Sequence, residues 1–99
     1  MPALPVTKSE AARSEVLKPR LIKILNSGAV SLLAATTAIG TTRATAYQWR
    51  DGDKPIRHAF QDNVEQFCNK MEAYMAEYGT MSISTKQAVA IMHEEAPKC

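Results

Sequence analysis

Glycine and proline are scarce in this 99-residue chain, at four and five, and three of the prolines fall within the first 19 positions. So few turn-formers leave little room for a loop-rich or all-β design. Cysteine is nearly absent too. Cys68 and Cys99 form no CxxC pair and no obvious bridge, which suits a reducing compartment. The apolar stretches are short and interrupted, so no membrane span is expected. The opening MPALPVTKSE lacks the basic start and continuous apolar run of a signal peptide, and points to a cytoplasmic, bacterial or viral setting. Catalytic constellations are missing as well. His58 and His93 are isolated, and His93-Glu94-Glu95 lacks the second histidine of the HExxH zinc pattern. There is neither a phosphate-cradling glycine loop nor a GxSxG elbow. Neither an enzyme nor a cofactor or metal site is expected.

What remains is the material of one helical domain, since 99 residues are enough for one compact unit and too few for two ordinary ones. The net charge of +2 hides an asymmetry: residues 1–58 carry nine Lys/Arg against four acids, and residues 59–99 carry three against six. A basic front and an acidic back suit a DNA-facing part followed by a partner-facing tail. The plain alternative is a solvated surface whose charges fall unevenly.

Residues 1–6, with two prolines, are expected to form a flexible arm. Thr7 followed by Glu10 is a capping-box signature, and it predicts a helix from about Lys8 with Ala11, Ala12, Val16 and Leu17 turned inward. Pro19 predicts a restart, with a separate helix over 20–26 whose Leu21, Ile22, Ile24 and Leu25 pack inward and which ends at Gly28. Arg20 and Lys23 are within range of phosphates there, although helix lysines are more often simply solvated.

The most informative stretch is SLLAATTAIGTTRATAYQWR, residues 31–50. Ser31 is placed to cap a short helix that is apolar almost all round and rich in alanine, so that a neighbouring helix can cross it closely. Gly40 stands where a left-handed residue ends a helix. Thr42 is placed to cap a second helix that ends on the chain's only tryptophan. Ala46 and Trp49, three apart, share its inner face. Arg43, Ala44, Tyr47 and Gln48 then look outward, a face suited to nucleic acid.

This pattern, with the closing Gln48-Trp49-Arg50 and the turn Asp51-Gly52-Asp53-Lys54-Pro55-Ile56, resembles the helix-turn-helix of Cro- and CI-type phage repressors over about residues 20–60. It departs where Thr36 stands at a position that is usually alanine, and where Ala46 is smaller than the usual valine or isoleucine. The Thr36 hydroxyl needs a partner, such as a carbonyl one turn back. The resemblance implies base contacts from Arg43, Ala44 and Gln48, matched by type to guanine, a thymine methyl and adenine. It implies backbone contacts from Thr42, Tyr47, Arg50, Lys54 and Arg57. Asp51 and Asp53 would repel DNA unless they hold Arg50 or Lys54.

Phe60, Val64, Phe67, Met71, Tyr74 and Tyr78 recur at intervals of four and three, the spacing of a coiled-coil seam, with Cys68 and Met75 widening it. Cys68 reads as a small core residue on this stripe. A helix this long, about 28 Å at 1.5 Å per residue, exceeds what short neighbours cover. Phe60–Phe67 is therefore expected to fold back on the chain, and Met71, Tyr74, Met75 and Tyr78 to meet a second copy. Gly79 ends the helix, residues 80–84 form a short strand or connector, and residues 85–95 form a last helix, with Pro97 beyond it.

The expectation is an all-α fold of about five helices: an arm (1–6), a helix-turn-helix domain (7–58), and a packing and dimerisation segment (59–99) dominated by a long helix. The function implied is sequence-specific binding of double-stranded DNA by a homodimer, as a repressor on an inverted-repeat operator. Two alternatives stand beside it. One is an activator like the lambda-type CII proteins, which needs a surface for RNA polymerase. The other is a helical protein-interaction module such as a phage-encoded inhibitor or antitoxin.

Overall fold

A computed structural model describes residues 7–80 and 82–93. The expected arm at 1–6, Pro97 and Cys99 lie outside the described residues. The fold is all-helical: α1 Lys8–Ser27, α2 Leu32–Ile39, α3 Arg43–Arg50, α4 His58–Tyr78 and α5 Thr85–His93. No named strand occurs among the described residues. Residues 80 and 82–84 lie in no helix, and Ile83 makes one isolated parallel bridge to Val30, its amide donating to the Ala29 carbonyl at 2.9 Å. None of the described helices is long and apolar enough to cross a membrane.

Local chemistry sets the helix ends. The Thr7 hydroxyl accepts from the Glu10 amide and the Glu10 carboxylate accepts from the Thr7 amide, closing the capping box on α1. Ser31 caps α2 by accepting from the Ala34 amide, and Thr42 caps α3 by accepting from the Thr45 amide. Gly40, at φ 91°, ends α2 in the left-handed region, and its amide donates to the Thr36 carbonyl.

Two expectations about α1 are corrected. The helix runs unbroken for 20 residues with Pro19 inside it. Proline removes one backbone donor, which leaves the Glu15 carbonyl without its helical partner. Both residues are exposed, so the freed carbonyl lies on the solvent side of the helix. On the opposite side the buried Leu17, Leu21 and Ile24 hold the helix to the core. The inward stripe is also not the one expected: Ala12 and Val16 are exposed, while Glu10 and Ser14 are buried ahead of Leu17. These two polar residues belong on the stripe because each meets backbone donors, as described below.

α1 and α4 lie side by side and run in the same direction. Arg13 bonds Asp62 at 2.8 Å and Glu65 at 2.7 Å; seven residues on, Arg20 bonds Asn69 at 2.7 Å and Glu72. The same seven-residue step on both helices is two helical turns, which fixes both register and polarity.

Between them the core gathers Leu17, Leu21, Ile24, Val64, Phe67, Cys68 and Met71. α5 packs chiefly on α2, whose buried Ala34, Ala35 and Ala38 permit a close approach, and it contributes Ala88 and Met92. Residues 7–58 and 59–93 thus share one core.

Continuity of α1 also revises the long helix. Because α1 reaches past Arg20, it covers the α4 stripe as far as Met71, which has no exposed surface. Met71 therefore cannot lie on an interface between copies, contrary to expectation. The Val64 and Phe67 part folds back on the chain as expected. Tyr74 and Met75 are half-buried, and Tyr78 is 60% exposed with its ring 4.7 Å from that of Tyr74.

Candidate nucleic-acid interface

α3 is two-sided. Ala46 and Trp49 are each 4% exposed, and the Trp49 indole meets the Phe60 ring edge-on at 5.7 Å between centroids. The apolar anchor is thus a contact between α3 and the first turn of α4. Arg43, Ala44, Tyr47 and Gln48 are all exposed, the outward set read from the sequence, and the cap Thr42 is exposed beside them. Among the described residues, none bonds the side chain of Arg43 or Gln48. Thr36 is buried, and its hydroxyl donates to the Leu33 carbonyl at 2.9 Å, the back-bond its position requires.

The turn after α3 is organised by the Gln48 carbonyl, which accepts from the Gly52 amide at 3.1 Å and the Lys54 amide at 3.2 Å. A β-carbon at Gly52 would lie 3.4 Å from the Gln48 backbone, so the chain folds tightly over the helix end. Asp53 has φ 30° at the bend. Arg50 is committed locally: its guanidinium forks onto Asp51 at 3.1 and 3.0 Å and lies 5.0 Å from the centre of the Tyr47 ring. That hydrogen-bonded pairing raises the Arg50 pKa and lowers that of Asp51. Asp51 thereby has the holding role expected of it.

Residues 54–58 run antiparallel along α1 in a ladder not foreseen from the sequence. The Glu10 carboxylate accepts from the His58 amide, the Ser14 hydroxyl accepts from the Ile56 amide at 2.8 Å, and the Lys18 ammonium donates to the Lys54 carbonyl at 2.7 Å. Four helical residues advance about 6.0 Å. Two extended residues advance about 6.6 Å. Side chains at i, i+4 and i+8 can therefore meet every second residue of an extended chain. Gln61 locks the first rungs by donating to the carbonyls of Glu10 at 2.8 Å and Ile56 at 3.0 Å. The His58 amide holds the Glu10 carboxyl below its ordinary range; burial opposes this and Arg57 adds to it. The Arg57 Nε donates to Glu10 at 3.1 Å, so this arginine serves the α1 junction.

The charge asymmetry takes a different meaning here. Arg13, Arg20, Arg50 and Arg57 are each bonded to a carboxylate, and two of the four reach acids on α4. Arg13 and Arg20 of the basic front are therefore matched by the acidic back inside one chain, and Arg50 and Arg57 by acids of the front itself.

Elsewhere, a groove of about 640 Å³ lies between α2, α4 and α5, lined in part by Thr37, Gly40, Asn63 and Lys70. Its polar groups already serve helix ends: the Asn63 amide donates to the Ile39 carbonyl and the Lys70 ammonium to the Met92 carbonyl, both at 3.0 Å. Among the described residues, no three His, Cys, Asp or Glu side chains converge on a possible metal position. Compared with protein-family models, with curated proteins and with solved structures, the chain has no match.

Proposed function

We propose that this chain is a sequence-specific double-stranded-DNA-binding regulator that acts as a homodimer, with repression by promoter occupancy as its output. One observation carries the reading: α3 is anchored by Ala46 and Trp49 and presents an outward face with Arg43, Ala44 and Gln48 left uncovered. In this reading α2 and α3 form a helix-turn-helix, and α3 enters the major groove with its N-terminal residues nearest the bases. Arg43 suits guanine, Gln48 suits adenine, and Ala44 suits a thymine methyl. Thr42, Tyr47 and Lys54 take sugar and phosphate positions. Arg50 reaches a phosphate by exchanging Asp51 for it, and Arg57 supports from the α1 junction. Tyr74, Met75 and Tyr78 supply the contact between copies, and the two-fold symmetry sets an inverted-repeat operator with half-sites about one helical turn apart.

The capture of four arginines by the chain's own carboxylates favours a second reading, a helical protein-interaction module. Heparin retention followed by genomic-fragment selection separates the two. A regulator is retained, elutes with moderate salt and returns a palindromic motif. Passage through heparin with no enriched sequence overturns the DNA reading.

A further inference from the structure

Lys18 and Lys54 are 36 residues apart in sequence, yet the third rung of the ladder brings them together at the turn that closes α3. Lys18 belongs to α1, and its ammonium sits on the Lys54 carbonyl at 2.7 Å. The Lys54 amide is in turn tied to the Gln48 carbonyl, so the whole arrangement is built on the last turn of α3. The other two rungs lie inward on the buried Glu10 and Ser14; the Lys18 rung is exposed.

The contrast with the arginines decides what this pair is for. Arg13, Arg20, Arg50 and Arg57 each have a carboxylate within ion-pair distance. Among the described residues no acid pairs with Lys18 or Lys54. An ammonium has three donors, and Lys18 spends one on a backbone carbonyl, which orients the group and leaves two N–H bonds for another acceptor. The Lys18 ammonium is held against the backbone of the exposed Lys54, and neither lysine has an acid within ion-pair distance among the described residues; Asp53, next to Lys54 in sequence, is the acid an anion there would have to face.

We propose that Lys18 and Lys54 together grip a backbone phosphate of the duplex beside the C-terminal end of α3, with Lys18 as a contact drawn from α1. This rests on the DNA-binding reading and adds to it a residue outside the α2–α3 stretch. It also separates Lys18 from Arg20, which Glu72 and Asn69 occupy, and from Lys23, which lies toward Glu72.

The test measures affinity against salt concentration for the full chain, K18Q, K18R and K23Q. Two duplexes serve as probes: a random-sequence one and the fragment recovered by selection. Each phosphate neutralised contributes about 0.9 to the slope of log affinity against log salt. K18Q is expected to lose about that much slope on both duplexes. K18R retains the slope, and K23Q, which removes the same charge from the same helix, leaves it unchanged. Thermal melts of each variant fix a temperature at which all are folded, and the slopes are read there. If the parent chain binds and K18Q keeps the full slope, or K23Q loses as much as K18Q, the clamp is overturned and the regulator reading survives. If the parent chain binds neither duplex, both fall together.

Discussion

The Ser14 hydroxyl accepts a hydrogen bond from the Ile56 amide across 42 positions of sequence, and both residues are buried. This pair secures the segment after α3 to the first helix, and so sets where the α3 face points relative to the core. Replacing Ser14 with alanine leaves the Ile56 N–H buried without an acceptor, at a cost of about 1–3 kcal/mol. Urea unfolding of S14A is expected to show that loss with an unchanged m-value; a variant as stable as the parent would contradict the role.

Glu10 makes stability depend on pH. Its folded pKa lies below the ordinary 4.5, so the folded state holds its proton less tightly than the unfolded state does. The resulting stabilisation is present above 4.5 and is lost as pH falls through the folded value. E10Q is expected to melt lower than the parent at pH 7, with the gap narrowing as pH drops below about 4.5. A gap that stays constant with pH would assign the effect to packing alone.

Arg43 and Arg57 are expected to differ in kind. R43A should weaken binding to the selected site by about 1–3 kcal/mol and relax preference at one base pair. R57A should instead lower the melting temperature, because it strips a partner from the buried Glu10 carboxylate. Fluorescence anisotropy on matched and single-substituted duplexes, with thermal melts alongside, separates the two. Equal loss of R43A affinity on every sequence would remove it from base reading.

Met71 and Tyr78 test the assembly. M71A opens a cavity in a fully buried position and is expected to cost about 2–5 kcal/mol. Y78A removes an exposed ring and is expected to leave the fold intact while raising the dimer dissociation constant in analytical ultracentrifugation. An unchanged constant for both Y78A and a Y74A/Y78A double variant would move the contact between copies elsewhere.

Cys68 should be inert. Burial pushes its thiol up to about 11, against an ordinary 9.0. Two units mean about a hundredfold less thiolate at pH 8. In a C99S background, labelling by a thiol reagent is expected to be slow in the native state and to accelerate sharply on unfolding in urea. Rapid native labelling would place Cys68 at an accessible surface.

The parts legible in the sequence were those that a residue decides within a turn or two of itself. Thr7, Ser31 and Thr42 cap helices by reaching amides three residues ahead. Gly40 ends α2 because its own backbone takes the left-handed region cheaply. The division of α3 into an inner Ala46–Trp49 side and an outer Arg43, Ala44, Tyr47 and Gln48 side follows from helical spacing and hydrophobicity. The back-bond of Thr36 is equally local.

Glu10 and Ser14 were hidden because a hydrophobic count assigns polar residues outward, and only their distant backbone partners make burial affordable. A capping Glu followed by Ser and Lys at four-residue steps was the available signal. It acquires meaning only beside an extended segment of matching rise.

The sequence by itself determined the caps at Thr7, Ser31 and Thr42, the stop at Gly40 and which side of α3 faces out, since each depends on contacts within a few residues. The tertiary structure alone decided that α1 continues through Pro19, that Met71 is sealed, and that Arg13, Arg20 and Arg57 are matched by distant acids while Lys18 and Lys54 are not. Each of these depends on which side chains, some 35 to 50 positions away, are brought alongside, and one-dimensional spacing does not carry that information.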